Sequence, residues 1–225
     1  MSFYKYDTHV HTSETSPCGC VSAVELVHLY KDAGFHGIAI TDHYFDGFFE
    51  SLRGMSWEEK VDNYLKGYKI ALNEGKKIGL NVILGMEIRF GSSPNDYLVY
   101  GIDEEFLKEY PELYNLDLSR FRELISDKGI LIYQAHPFRP YIVPADPKLL
   151  DGVEVHNGNP RHNSHNEKAL EFARKYCLKE SSGSDFHQYE DLGRGGIIVT
   201  EPVSSSEAFV RILYENKVVD LVRDI

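Results

Sequence analysis

Short apolar runs recur along the chain, separated by stretches of helical periodicity, and most end on a polar residue of metal-ligand type. The first, residues 3–6, leads into Asp7-Thr8-His9-Val10-His11. After a loop over 12–21, apolar positions 23, 26, 27, 30 and 33 keep the period of a core-facing helix. Ser22 and Glu25 read as its capping box and Gly34 as its stop. Residues 37–40 predict a second strand, ending at Thr41-Asp42-His43. A loop rich in Phe and Gly follows, then a helix capped by Ser56 and Glu59 that runs to about Ile78, before Gly79.

The third strand, 82–87, ends at Gly85-Met86-Glu87, and a further strand is expected at 97–100. Short helices are expected over 103–109 and 117–128, and residues 130–133 run into Gln134-Ala135-His136-Pro137. Residues 153–156 read as a strand and 163–176 as a helix with apolar positions 169, 170, 173 and 176. A strand into Gly183-Ser184-Asp185-Phe186-His187, a strand over 196–199 and a helix capped by Ser204 and Glu207 complete the pattern. Strands alternating with helices, several of them continuously apolar, predict an α/β fold whose parallel sheet is covered on both faces. Ligand-type residues at the C-terminal ends of strands favour a closed (β/α) barrel. An open doubly wound sheet would spread those ends along a line.

Composition narrows the class without naming a chemistry. With 225 residues, 42% hydrophobic and 26% charged, the chain fits one large globular domain, expected to span 1–225. No apolar stretch is long enough to span a bilayer, and the chain opens in a strand pattern with no signal-peptide core, so the expected location is cytoplasmic. The net charge of −11 disfavours a nucleic-acid backbone as partner. Cys18, Cys20 and Cys177 are too few for a disulfide framework, in keeping with a reducing compartment. Nothing in the sequence fixes an oligomeric state.

The chemistry sits at the strand ends. In an extended segment His9 and His11 share one face, with Asp7 two residues behind, and imidazoles about 7 Å apart along a face can chelate one ion if other ligands meet them. The strand ends Thr41-Asp42-His43, Gly85-Met86-Glu87, Ala135-His136-Pro137, Glu154-Val155-His156-Asn157 and Gly183-Ser184-Asp185-Phe186-His187 supply the distant candidates. Such a cluster of acids and imidazoles is costly to bury unless cations pair with it, and divalent ions also acidify water into a nucleophile.

Asp7-Thr8-His9-Val10-His11-Thr12, Thr41-Asp42-His43, Gly85-Met86-Glu87, Ala135-His136-Pro137 and Gly183-Ser184-Asp185-Phe186-His187 together resemble the motifs of PHP (polymerase and histidinol phosphatase) domains, in order and over essentially the whole chain. The resemblance implies a distorted (β/α)7 TIM-like barrel, two or three divalent ions (Zn, Mn or Fe) at the C-terminal strand ends, and hydrolysis of a phosphoester. The expected substrate is a small anionic phosphorylated molecule, attacked by a hydroxide that the ions share. Carried over, His9, His11, Glu87 and Asp185 hold one ion. Glu87 bridges to a second, which also takes His136 and His156. His43, His187 and a residue of the loop after the first strand hold a third. That loop departs from the family pattern; Glu14 is the first choice and Cys18 the second.

Asp7 and Asp42 are expected to orient imidazoles rather than bind metal. Arg139 and Arg161 are candidates to clamp phosphate oxygens beside Glu87 and Asp185, with Arg194 a third. His28, His36, His162 and His165 are read as solvated or capping residues. An amidohydrolase also begins with a paired-histidine strand, but it commonly bridges its metals through a modified Lys, and here Glu87 ends the corresponding strand. A non-catalytic metal-binding domain and a proofreading exonuclease are further alternatives.

Overall fold

The apolar runs become strands of one curled sheet in a computed structural model that describes residues 2–223. Strands β1 (Tyr4–Val10), β2 (Gly37–Ile40) and β4 (Asn81–Arg89) are parallel neighbours, and the short β3 (His43–Tyr44) pairs with the end of β4. Beyond β4 come β5 (Asp96–Tyr100), β6 (Leu131–Gln134), β7 (Gly152–Asn157) and β8 (Lys179–Gly183). On the other side of β1 lie β9 (Gly195–Val199) and β10 (Val218–Arg223). The sheet curls until the residues after β8 reach β1. Val10 pairs with Phe186 in a parallel bridge, and His11 N–H donates to Phe186 O at 3.0 Å. The outer edge of β1 is thus shared, its first half paired with β9 and its second half with the chain leaving β8. The result is a nearly closed, distorted TIM-like barrel.

Two strands run against the parallel direction. β5 is antiparallel to β4 and β6, and β9 to β1 and β10. The link from Arg89 to Asp96 is too short to carry a crossover helix, so β5 must return as a hairpin partner. β10 was not foreseen in the sequence pattern.

Helices α1 (Ala23–Asp32), α4 (Lys66–Ile78), α7 (Asn166–Tyr176) and α8 (Ser206–Tyr214) are the long covers of the sheet. The Ser22 hydroxyl accepts the Glu25 N–H at the start of α1, one arm of the predicted box. The helix expected over 56–78 is two, α3 (Trp57–Tyr64) and α4, although the Ser56–Glu59 capping box and the left-handed Gly79 stop are both as predicted. The break has a cause outside the helix: the Thr15 hydroxyl donates to Tyr64 O and accepts the Gly67 N–H, entering the backbone ladder at the junction. Gly67 is required there, since a Cβ would sit 1.9 Å from Thr12 Oγ1. Smaller departures are α2 (Asp46–Ser51) inside the expected loop, α7 beginning three residues late, and a cap on α8 made by Ser205 rather than Ser204. The short α5 (Glu104–Glu109) and α6 (Leu118–Leu124) are close to expectation.

The main core packs Tyr6, Tyr100, Ile132, Tyr133 and Phe209 inside and around the sheet, and a second one packs Leu26, Val27, Ile38, Ile40 and Phe186 under α1. Each such side chain stabilises the fold by about 1.5–3 kcal/mol through burial. Buried tyrosines also support the strand ends with their hydroxyls. Tyr100 donates to Thr8 O, Tyr64 to Asp42 O and Tyr30 to Asp7 Oδ2, at 2.7–2.9 Å.

Candidate metal centre

Five side chains from four strand ends meet in the innermost part of the barrel mouth. His9 Nε2 lies 3.3 Å from Glu87 Oε1 and 3.4 Å from Asp185 Oδ1. His11 Nε2 lies 3.3 Å from the same Asp185 oxygen and 3.6 Å from Glu87 Oε2. His136 Nε2 is 3.1 Å from Glu87 Oε1. All five residues are at most 3% exposed. His136 and Asp185 hold left-handed backbones, φ 29° and 53°, as the chain turns out of β6 and β8. Such conformations cost about 1–3 kcal/mol each for residues with a side chain.

The imidazoles are wired from behind by two acids. Glu154, in the middle of the apolar β7, takes His9 Nδ1 on Oε1 at 2.8 Å and the His136 N–H on Oε2 at 2.9 Å. Asp42 accepts the Thr12 N–H, the Thr12 hydroxyl and the Ser16 hydroxyl at 2.7–2.8 Å, and Ser16 Oγ in turn lies 3.2 Å from His11 Nδ1. With Nδ1 engaged on an acceptor, each ring turns Nε2 toward Glu87 and Asp185. Asp42 therefore acts on His11 through Ser16. Asp7 touches no imidazole: it accepts the N–H groups of His9 and Ser184 and the Tyr30 hydroxyl, tying β1 to the end of β8. Burial pushes Asp7 and Asp42 each up to about 6. Glu154 is the functional side chain that sequence reasoning left without a role, and its signal was an acid in an otherwise apolar run.

Charge in the cluster is coupled. Burial opposes the charged form of His9, but the carboxylates of Glu154, Asp185 and Glu87 outweigh it and raise the imidazole well above its ordinary value. Burial likewise acts to raise Glu87 and Asp185, yet His9 and His43 hold the first, and His9 and Arg139 the second, well below the usual carboxylate range. His11, lacking so close an acid behind it, is lowered by burial and by His187 and His43.

The outer part of the mouth is less buried. His43 places Nδ1 2.6 Å from Glu87 Oε2 and Nε2 3.2 Å from Cys18 Sγ. His187 is fixed by a 2.8 Å bond between Nδ1 and Asp185 O. Donor atoms of His11, His43 and His187 all lie within 4.8 Å of one another. Burial acts to raise the Cys18 thiol, but hydrogen bonds from His187 and His43 prevail and bring it down to about 6.

Two expected ligands, His156 and Glu14, are engaged away from the cluster, and two expected arginines arrive already bonded. His156 points away from the cluster, with Nε2 3.1 Å from Arg194 O and Nδ1 3.1 Å from Asn166 Nδ2. The cause is a bulge in β7: the pairing with β8 slips between Glu154 and His156, which turns His156 to the opposite face from Glu154. Asn157 takes the inward position and donates to Glu154 Oε2. Glu14 spends its carboxylate on the Ala23 N–H at the start of α1, so the first-choice loop ligand is a helix cap. Arg161 is bound bidentately to the buried Asp191, which also holds the N–H of His187. Arg194 bonds Glu190 O through Nε.

Arg139 stands where expected, with Nη2 2.5 Å from Asp185 Oδ2 and 2.7 Å from Asn157 Oδ1. A cleft of about 280 Å³ above the cluster is walled by Arg89, Arg139, Arg161 and His162. Arg89, a residue the sequence did not single out, is bidentate to Asp96. A larger cavity of about 740 Å³ opens outside the sheet near α4, α6 and α8, but no imidazole or thiol lines it. His28 pairs with Glu74, His36 accepts the Lys5 N–H, and His165 stands at the start of α7.

With this geometry in view, the profile of the PHP domain matches residues 7–171, which hold every donor described above except Asp185 and His187. The chain belongs to the PHP-domain family. A PHP-associated C-terminal profile matches residues 163–218. An uncharacterized protein of Methanocaldococcus jannaschii, MJ0417, is 32% identical over 103 residues, covering 39% of this chain and 41% of that protein. Among solved structures, a two-domain protein of Bacteroides vulgatus, described as containing a PHP-like metal-dependent phosphoesterase, superposes with a TM-score of 0.69 at 18% identity. The match covers 96% of this chain and 64% of that one. PsfC of Pseudomonas syringae gives a TM-score of 0.66 at 15% identity over 93% of this chain and 88% of that chain.

The donor set of this PHP domain is compatible with divalent ions, and one observation tests the fit directly. His9 Nε2 and His11 Nε2 are buried and make no hydrogen bond, and Glu87 Oε2 has His43 Nδ1 as its near neighbour. Metal bonds of 2.0–2.1 Å in tetrahedral array set neighbouring donors roughly 3.4 Å apart. The spacings of 3.3–3.6 Å among His9, His11, Glu87 and Asp185 match that edge. They are long for hydrogen bonds between charged groups.

Proposed function

We propose that this PHP domain is a metal-dependent phosphoesterase acting on a small phosphate monoester. The observation that carries the reading is the pair of buried, unpartnered nitrogens on His9 and His11, grouped with Glu87 and Asp185 at coordination spacing. His9, His11, Glu87, His136 and Asp185 form the inner ligand set, and His43 and His187 belong to the outer one. Glu14 and His156 leave the ligand set, because their polar atoms are committed elsewhere.

Glu87 is the hinge of the arrangement, since Oε1 faces His9 and His136 while Oε2 faces His11 and His43. Zn, Mn or Fe bound there would withdraw charge from phosphate oxygens and make water acidic enough to attack near neutral pH. Glu154 and Ser16 hold the Nδ1 protons of His9 and His11, so those rings present one fixed tautomer to the centre. Arg139, anchored on Asp185, offers its remaining donors to a phosphate at the mouth. Arg89 and Arg161 stand on the same wall, each neutralised by an aspartate, so they orient an anion more than they attract it.

The test is reconstitution of metal-free protein with Mn, Fe or Zn, followed by assay on a panel of phosphate monoesters and diesters. Turnover of monoesters, lost together with bound metal in Glu87→Ala, is the expected result. Protein that carries metal and hydrolyses no member of the panel would overturn the reading.

A further inference from the structure

We propose that Cys18 is a thiolate ligand of the outer metal position, completing it with His43 and His187 and giving it a preference for thiophilic ions such as Zn²⁺ over Mn²⁺. The proposal deepens the metal-centre reading and rests on it. Its starting point is the loop after β1, where Glu14 is occupied as a cap on α1 and leaves that position without a carboxylate.

The loop puts Cys18 there by backbone constraint rather than by chance. Ser16 N–H donates to Thr12 O, Gly19 N–H to Ser16 O and Ser13 N–H to Val21 O, which closes the loop on itself. Cys20 N–H then donates to His187 O at 2.8 Å, which fastens the far side of the loop to the residue that would share the ion. Gly19 lets the loop close this tightly, because a Cβ would stand 2.6 Å from Thr12 O. Cys18 Sγ ends 3.2 Å from His43 Nε2. A tetrahedral site with a metal–sulfur bond of 2.3 Å and a metal–nitrogen bond near 2.05 Å sets S and N roughly 3.6 Å apart, a small adjustment away.

Two further observations point to a ligand at this place. The donor atoms of His11, His43 and His187 already lie within 4.8 Å of one another. Next to them the buried His11 Nε2 has no hydrogen-bond partner. On binding, the thiol proton passes to solvent as the sulfur–metal bond forms. The inner donors are all nitrogen and oxygen, so they suit Mn, Fe and Zn alike, whereas a thiolate favours softer ions. The two parts of one centre would then differ in the metal they retain.

Cobalt(II) is the probe. Metal-free protein is titrated with Co²⁺ while the near-ultraviolet thiolate-to-cobalt charge-transfer band and the visible ligand-field bands are recorded. Cys18→Ser, Cys18→Asp and, as control for the neighbouring thiol, Cys20→Ser are titrated alongside. Expected are a charge-transfer band in wild type and Cys20→Ser and its loss in both Cys18 variants. Zn²⁺ retention at the weaker site should fall about tenfold or more in Cys18→Ser, and Cys18→Asp should restore binding with the preference moved toward Mn²⁺. Ligand-field bands without charge transfer in wild type would overturn the assignment of Cys18 and leave the inner centre standing. Failure to bind Co²⁺ at all would overturn both.

Discussion

The inner and outer parts of the barrel mouth are built by opposite means. Inner donors come from strand ends and are nearly inaccessible to water, and Glu154 inside a strand holds His9 and His136. Outer donors meet a loop, are partly exposed, and depend on Asp42, which grips that loop through Thr12 and Ser16. Two buried acids stand behind them: Glu154 binds imidazole directly, and Asp42 acts through hydroxyls. Rigidity thus sits where charge must be held most closely, and adaptability sits where solvent and substrate enter. Ser16 connects the two, since its hydroxyl lies by His11 Nδ1 and accepts the His43 N–H.

The sharpest way to break the contrast is Glu87→Ala, because one oxygen of Glu87 faces His9 and His136 and the other faces His11 and His43. Activity should fall about a thousandfold, the scale for losing a group that stabilises transition-state charge, and both classes of bound metal should decrease by elemental analysis. Loss confined to one class would remove its linking role. Next in size is the acid of the outer part. Asp42 is raised from an ordinary 3.8 to about 6, so its contribution to stability is complete below about pH 4 and is lost as pH rises through 6. Urea unfolding of metal-free wild type and Asp42→Asn at several pH values should differ in slope over that window by about 3 kcal/mol in total. Parallel curves would show that Asp42 ionises without cost.

Glu154→Gln tests the inner support. It keeps the shape but weakens the hold on His9 Nδ1, and metal affinity should drop about 10–100-fold with little change in fold. An equal drop in Ser16→Ala would erase the difference between direct and relayed alignment. The smallest effect is expected from Tyr30→Phe, which removes a hydroxyl lying 2.7 Å from Asp7 and 2.9 Å from Ser184. Thermal unfolding should register about 1–3 kcal/mol, with the metal content unchanged.

Much of this was legible before any coordinates. Apolar runs that stop at His9, Glu87, His136 and Asp185 announce strand ends, and a barrel is the shape that gathers such ends. What escaped reading depends on partners distant in sequence. The direction of β5 follows from a short link and a neighbouring edge, and the break between α3 and α4 comes from Thr15 arriving from elsewhere. That Arg161 reaches the cleft already paired was hidden, because Asp191, its partner, lies thirty positions on and is fully buried. Glu14 and Cys18 could be told apart only by the path of their loop. Glu154 was visible as a letter, but its role required knowing which ring stands opposite.

The bulge in β7 makes pairing register, as well as residue identity, a determinant of what the barrel mouth contains. One surplus residue in that strand acts as a selector that shows Asn157 to the interior and hides His156. Were β7 to pair with β8 without the bulge, strict alternation would return His156 to the face of Glu154, so an imidazole could be gained or surrendered in descent without any codon for histidine being touched.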